Sequence, residues 1–184
     1  RESVAVLGAG VSGLQSVRAL RSKGFGVTAY DSNPQVGGLW RENYLSYGVQ
    51  VPKQLYEFPD LEFTEVKTGD YPTGAEVQKY IERYVNHFKL GDSITLNTKI
   101  KKVTQNDDGS WTVKTMKDGK EEDNHFDKVV IATGLYSNDN PSLPDWATGE
   151  TASSFKGEIL HSWKVQKAEQ IAGKKVIVVG NGKS

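Results

Sequence analysis

The stretch Ser3-Val-Ala-Val-Leu-Gly-Ala-Gly-Val-Ser-Gly13 decides how this chain is read. Its first five residues form a short apolar run, the pattern of a parallel strand covered on both faces. The run stops at Gly8. From Val11 the period changes, and Val11, Leu14, Val17 and Leu20 recur on one helical face until Gly24. Gly26-Val-Thr-Ala-Tyr30 reads as a second strand, with Asp31 at its end. A G-x-G-x-x-G placed between strand and helix is a dinucleotide-binding turn. Gly8 permits the tight bend, Gly10 lets the backbone approach a pyrophosphate, and Gly13 lets the helix pack closely on the sheet. Ala9, Val11 and Ser12 complete the turn, and the helix start offers free N–H groups and a positive dipole end to phosphate. An acid at Asp31 suits the ribose hydroxyls of FAD or NAD and repels a 2′-phosphate. Its loss is expected to weaken ligand retention while leaving the fold. Glycines cluster in turns for structural reasons alone, but here strand, triplet, helix, strand and acid arrive in order within one β-α-β length.

Outward from this unit, Asp31 to about Pro59 has no sustained period, and so long a loop in a compact domain is usually functional. Val77, Tyr80, Ile81, Tyr84, Val85 and Phe88 form a helical stripe within an expected helix from Glu76 to Leu90, ended by Gly91. The aromatic stripe reads as core packing. Ile94–Leu96, Ile100–Thr104 and Trp111–Met116 are strand-like, and Asn106-Asp-Asp-Gly109 makes the last two a hairpin. Lys117 to Asn124 is charged and reads as a solvated turn. Phe126 to Ala132 and Lys174 to Val179 each read as one further strand.

The 23 basic and 23 acidic residues balance, which gives no electrostatic field for nucleic acid. The apolar runs are too short to span a bilayer, and no signal peptide is visible, so a cytoplasmic protein is expected. There is no cysteine, so disulfides, thiolate catalysis and Cys-based metal sites are excluded from this stretch. His87 and His125 have no partners at ligand spacing, and no metal is assigned. One internal repeat stands out. Val176-Ile-Val-Val-Gly-Asn-Gly182 restates the strand-then-glycine design of Val4-Ala-Val-Leu-Gly-Ala-Gly10.

The order of these motifs resembles the flavin-containing monooxygenases over nearly the whole chain. Gly37-Gly-Leu-Trp-Arg41 looks like the family's second FAD segment, in which Gly38, Leu39 and Trp40 would touch the flavin. Alone, Gly37-Gly38 would read as an ordinary turn. The segment beginning at Gln50 and Val51 resembles the family's active-site loop. Most members start that loop with Asn, and Gln50 keeps the amide but adds a methylene. Val129-Val-Ile-Ala-Thr-Gly134 resembles the strand that precedes the crossing between domains. Phe155-Lys-Gly-Glu-Ile-Leu-His-Ser162 is similar to the identifying sequence Phe-x-Gly-x-x-x-His-Ser. Its one departure is Val165, where an aromatic is usual. His161 is read as structural.

The resemblance implies an α/β fold: a Rossmann-like FAD-binding domain of the two-dinucleotide-domain type, with a small β-hairpin or meander. The expected organisation is an FAD-binding domain over 1–145, a linker with the identifying motif over 146–173, and the start of an NADPH domain over 174–184. Gly180, Gly182 and Ser184 would belong to the NADPH motif, with the chain ending before its helix; alone, such a fragment is expected to be inactive. The implied activity uses FAD, NADPH and O₂ to oxygenate soft nitrogen or sulfur atoms of small molecules through a flavin C4a-hydroperoxide, with Gln50 nearest the reacting edge. A homo-oligomer is left open. Three other readings compete with this one. A Baeyer–Villiger oxygenase wants Trp where Val165 stands. A flavin disulfide reductase needs a redox cysteine pair. An inactive FAD-binding module would lack turnover altogether.

Overall fold

The computed structural model describes residues 1–66, 70–136 and 141–180. The chain divides into two compact units, residues 1–42 with 48–134, and residues 43–47 with 135–184.

The first unit is built on a parallel sheet. Strands β1 (Ser3–Leu7), β2 (Gly26–Tyr30), β3 (Ile94–Thr95) and β7 (Lys128–Ile131) lie in the order β3-β2-β1-β7. Helix α1 (Val11–Ser22) connects β1 to β2, whose register runs from Ser3↔Gly26 to Leu7↔Tyr30. Val4, Ala5, Val6 and Leu7 are all buried, as a strand covered on both faces requires. Leu14 and Val17 carry the buried stripe of α1, and Gly24 ends the helix with φ +88°.

Helix α2 (Gly74–His87) begins two residues before the expected Glu76, because Thr73 and Glu76 form a reciprocal capping box. It also stops earlier than Leu90, since Lys89 turns left-handed at φ +51°. Its aromatic stripe is core, as expected. Tyr80 stacks on Phe63 at 4.3 Å between ring centroids and on Phe58 at 5.1 Å. The Tyr80 hydroxyl donates to Leu61 O and accepts from Phe58 N.

Three antiparallel strands, β4 (Lys99–Gln105), β5 (Trp111–Lys117) and β6 (Lys120–Phe126), form a second sheet. Lys117–Asn124 is therefore not a solvated turn. Only Asp118 and Gly119 turn, both at positive φ, and β6 then pairs along β5 from Lys117↔Lys120 to Trp111↔Phe126. Two-residue turns with both φ positive match the twist of a hairpin. The charged side chains mislead because β6 is an edge strand with four of its residues exposed in sequence. Nor is Phe126–Ala132 one strand. Phe126 closes the antiparallel sheet, and Lys128 opens the parallel one against Val4. Between them, Asp127 Oδ2 accepts from Ser3 N at 2.6 Å and Ser3 Oγ at 2.8 Å, pinning the switch. Tyr30, Phe126, Val113, Ala5 and Leu7 make the core between the two sheets.

The second unit holds a short helix α3 (Gly149–Ser154) and three 3₁₀ turns, tied by Leu45 N to Val165 O at 2.7 Å and Gln166 Nε2 to Asn43 O at 2.9 Å. Residues 174–179 form no strand. No described neighbour pairs with them, and Ile177 and Val178 are 83% and 84% exposed. Apolar β-branched residues favour a strand only where a ladder exists to receive them.

Candidate functional site

The turn after β1 is held by main-chain close contacts. Gly8 sits at φ +109°, and a Cβ there would lie 2.4 Å from Ala132 O. A Cβ on Gly13 would lie 1.9 Å from Gly8 O, so the first turn of α1 touches the bend it follows. Gly10 is the N-cap of α1. No side chain caps it, and no acid stands in the first turn. The positive end of α1 thus meets no negative group of its own helix.

Asp31 is buried at 9% exposure. Its Oδ2 accepts from Ala9 N at 2.7 Å, and its Oδ1 accepts from Asn33 N and Asn33 Nδ2, both at 2.9 Å. A strand-end acid is expected to support a ligand more than the core, so that its loss leaves the fold. That expectation is corrected: the carboxylate clamps the glycine turn to the end of β2, while Asp31 N donates to Thr95 O. A carboxylate offers about four lone-pair positions, so three internal donors leave room for one more. Asn33 Oδ1 in turn accepts from Arg41 Nη2 at 3.1 Å, and Arg41 pairs with Glu42 at 2.9 Å.

The second glycine pair folds onto the first. Gly37 N donates to Ala9 O at 3.0 Å, and a Cβ on Gly38 would lie 3.1 Å from Gly10 Cα. Gly38–Trp40 then makes a 3₁₀ turn. Leu39 is half exposed, whereas Trp40 is buried with its ring edge-on to Tyr56 at 5.4 Å. Burial raises the Tyr56 phenol pKa, and a hydrogen bond with Trp40 opposes that rise. The structure therefore brings Gly8, Ala9, Gly10, Gly13, Asp31 and Gly38 into one cradle, with Val11 and Ser12 on the opening turn of α1.

Gln50 is exposed and Val51 half-buried, between the Gly48↔Thr73 bridge and the 3₁₀ turn Lys53–Leu55. Gly180 is exposed at φ +135° with open space about its Cα. Gly182 and Ser184 lie outside the described residues. In the second unit His161 Nδ1 accepts from Trp163 N at 3.4 Å.

Three contributors escaped the sequence reading. Lys53 is buried, its Nζ donating to Phe63 O at 2.7 Å beside Glu57 at 3.9 Å. Asn33 and Gln78 support the cradle through side-chain amides. Asn33 could have been found from its place two residues after the acid, where an Asx side chain commonly bonds local backbone. Lys53 and Gln78 act across the fold, and no local pattern marks them. Two surface hollows, of about 670 Å³ beside Lys79 and Arg83 and about 330 Å³ beside Arg18 and Asp60, contain no residue of the cradle. Among the described residues no cluster of His, Asp and Glu could hold a metal ion, and no helix is long and apolar enough to cross a membrane.

The family model for flavin-binding monooxygenase-like proteins matches residues 1–184. The chain belongs to this family of flavoprotein monooxygenases. Pig (Sus scrofa) flavin-containing monooxygenase 1 is 34% identical over 199 residues, 98% of this chain and 36% of that protein. The chain thus spans about a third of the length of the curated relatives it matches. An ε-caprolactone-bound structure of cyclohexanone monooxygenase is similar, with a TM-score of 0.75 at 27% identity over 98% of this chain and 35% of that one. So is an oxidised steroid monooxygenase bound to NADP, with a TM-score of 0.65 at 27% identity over 75% of this chain and 28% of that one. The Rossmann-like α/β architecture expected from the first glycine motif is shared with these enzymes.

Proposed function

We propose that this chain forms the FAD-binding part of an NADPH- and O₂-dependent monooxygenase that oxygenates soft nitrogen or sulfur atoms of small molecules. The observation that carries the reading is the cradle itself. Gly10 and Gly38 face each other without side chains beside an uncapped helix start, with the Asp31 carboxylate at the strand end. These groups fit a dinucleotide. The N–H groups opening α1 at Val11 and Ser12 would hold the diphosphate, Asp31 the ribose, and Leu39 the flank of the flavin. Gln50, at the start of the family's active-site loop, would offer its amide to the reacting edge. Bound there, FAD supplies the electron transfer and oxygen chemistry that no side chain of this chain provides.

Two features support N- or S-oxygenation over Baeyer–Villiger chemistry. Val165 stands where the latter wants Trp, and Ser162 directly follows His161 as in the N- and S-oxygenating identifying sequence. NADPH use draws support from the sequence repeat alone, Val176–Gly182 matching Val4–Gly10 although 174–179 form no strand here, and residues 174–184 are proposed as the opening of that site, after an FAD domain over 1–145 and a linker over 146–173. Titrating FAD into the purified chain and following flavin fluorescence tests the reading. Saturable quenching that Asp31→Ala weakens is expected; no uptake by the wild-type chain would refute it.

A further inference from the structure

Helix α2 reaches the glycine cradle through the side chain of Gln78. Its Nε2 donates to Val36 O and to Glu82 Oε1, both at 2.9 Å. With two acceptors flanking that nitrogen, the orientation of the amide follows from its partners. Oε1 is then turned to Gly37, where it is buried without a hydrogen-bond partner, and a Cβ on Gly37 would stand 2.1 Å from it. A buried acceptor left unpaired is unusual enough to need a reason. The reason lies one step further along. Gly37 N bonds Ala9 O, and Gly38 rests on Gly10, so whatever fixes Val36 and Gly37 also fixes the width of the cradle.

α2 is a rigid place from which to do this, since Val77, Tyr80, Ile81 and Tyr84 anchor it in the core. The strip it holds is only partly buried: Gly37 is covered, whereas Val36 and Gly38 on either side are partly exposed. We propose that Gln78 is a positioning residue of the flavin site, setting the strip Val36–Gly38 against the turn Gly8–Gly10. The inference rests on the FAD reading above. Removing the amide should therefore affect the ligand more than the fold.

The test compares the wild-type chain with Gln78→Met, which keeps length and bulk but loses the donor, and with Lys79→Ala, an exposed neighbour on the same helix. FAD is titrated into each, flavin circular dichroism is recorded on each complex, and each apoprotein is melted. Gln78→Met should weaken FAD binding roughly fivefold to tenfold, the loss expected for about one hydrogen bond, and alter the flavin dichroism. Its apo melting temperature should stay near that of the wild type, and Lys79→Ala should match the wild type in every respect. Equal FAD affinity in Gln78→Met and wild type overturns the positioning role alone. So does a drop in apo melting temperature large enough to account for the lost affinity. If the wild-type chain takes up no FAD, the flavin reading fails and this role fails with it.

Discussion

The carboxylate of Asp31, at the end of β2, holds the backbone N–H of Ala9 at 2.7 Å in the bend that follows β1. One side chain thereby joins the two places where a dinucleotide's ribose and diphosphate would lie. Because the same oxygens that brace the fold would also serve the proposed ligand, the effects of changing this residue should not separate cleanly.

Asp31→Ala is expected to weaken FAD binding and also to lower the stability of the apoprotein by about 1–3 kcal/mol, the cost of leaving buried donors unpaired. Urea unfolding without flavin reads the second effect, and flavin titration the first. A variant as stable as wild type would return Asp31 to a ligand role only.

Gly13→Ala and Gly91→Ala should differ sharply. The added methyl at Gly13 meets Gly8 O at 1.9 Å, where backbone must move, while at Gly91 it meets nothing within 4 Å. A loss of roughly 3 kcal/mol is expected at Gly13, and a change within about 0.5 kcal/mol at Gly91. Denaturant midpoints of the two variants settle the comparison.

Burial pushes the phenols of Tyr80 and Tyr84 up to about 12 from 10.0; a bond to Phe58 N opposes the rise at Tyr80, and Asp60 adds to it at Tyr84. A folded pKa above the unfolded one means both groups are protonated more readily in the native state. Their contribution is fully present below about pH 10 and is lost as pH rises through about 12. Alkaline unfolding should therefore coincide with the rise in phenolate absorbance. Tyr80→Phe, which leaves Phe58 N–H and Leu61 O without their partner, should cost about 1–3 kcal/mol at neutral pH and flatten part of that alkaline loss.

In the monooxygenase, Gln50→Ala should raise the NADPH consumed per product formed, while Gln50→Asn should be milder because the amide survives. Measuring NADPH oxidation against product yield checks this. Unchanged coupling in Gln50→Ala would remove Gln50 from the reacting edge.

The sequence by itself determined the β-α-β unit. The left-handed bend at Gly8, φ +109°, and the close approach of Gly13 to Gly8 O are set within one turn of chain, so the glycine spacing between a strand and a helix carries the information. The hairpin turn at Asn106–Gly109 and the aromatic stripe of α2 were legible for the same reason, since turn chemistry and helical period are local. Tertiary structure alone decided the rest. β6 is a strand because β5 offers it a ladder, despite side chains that point to solvent. Residues 174–179 are not a strand because no described neighbour offers one. That Gly37 bonds Ala9, that Gln78 holds Val36, and that Asp31 supports the turn it was expected only to face are contacts between residues 22 to 42 positions apart. Hydrogen bonds of that reach depend on where two elements meet, and no periodicity in the chain encodes it.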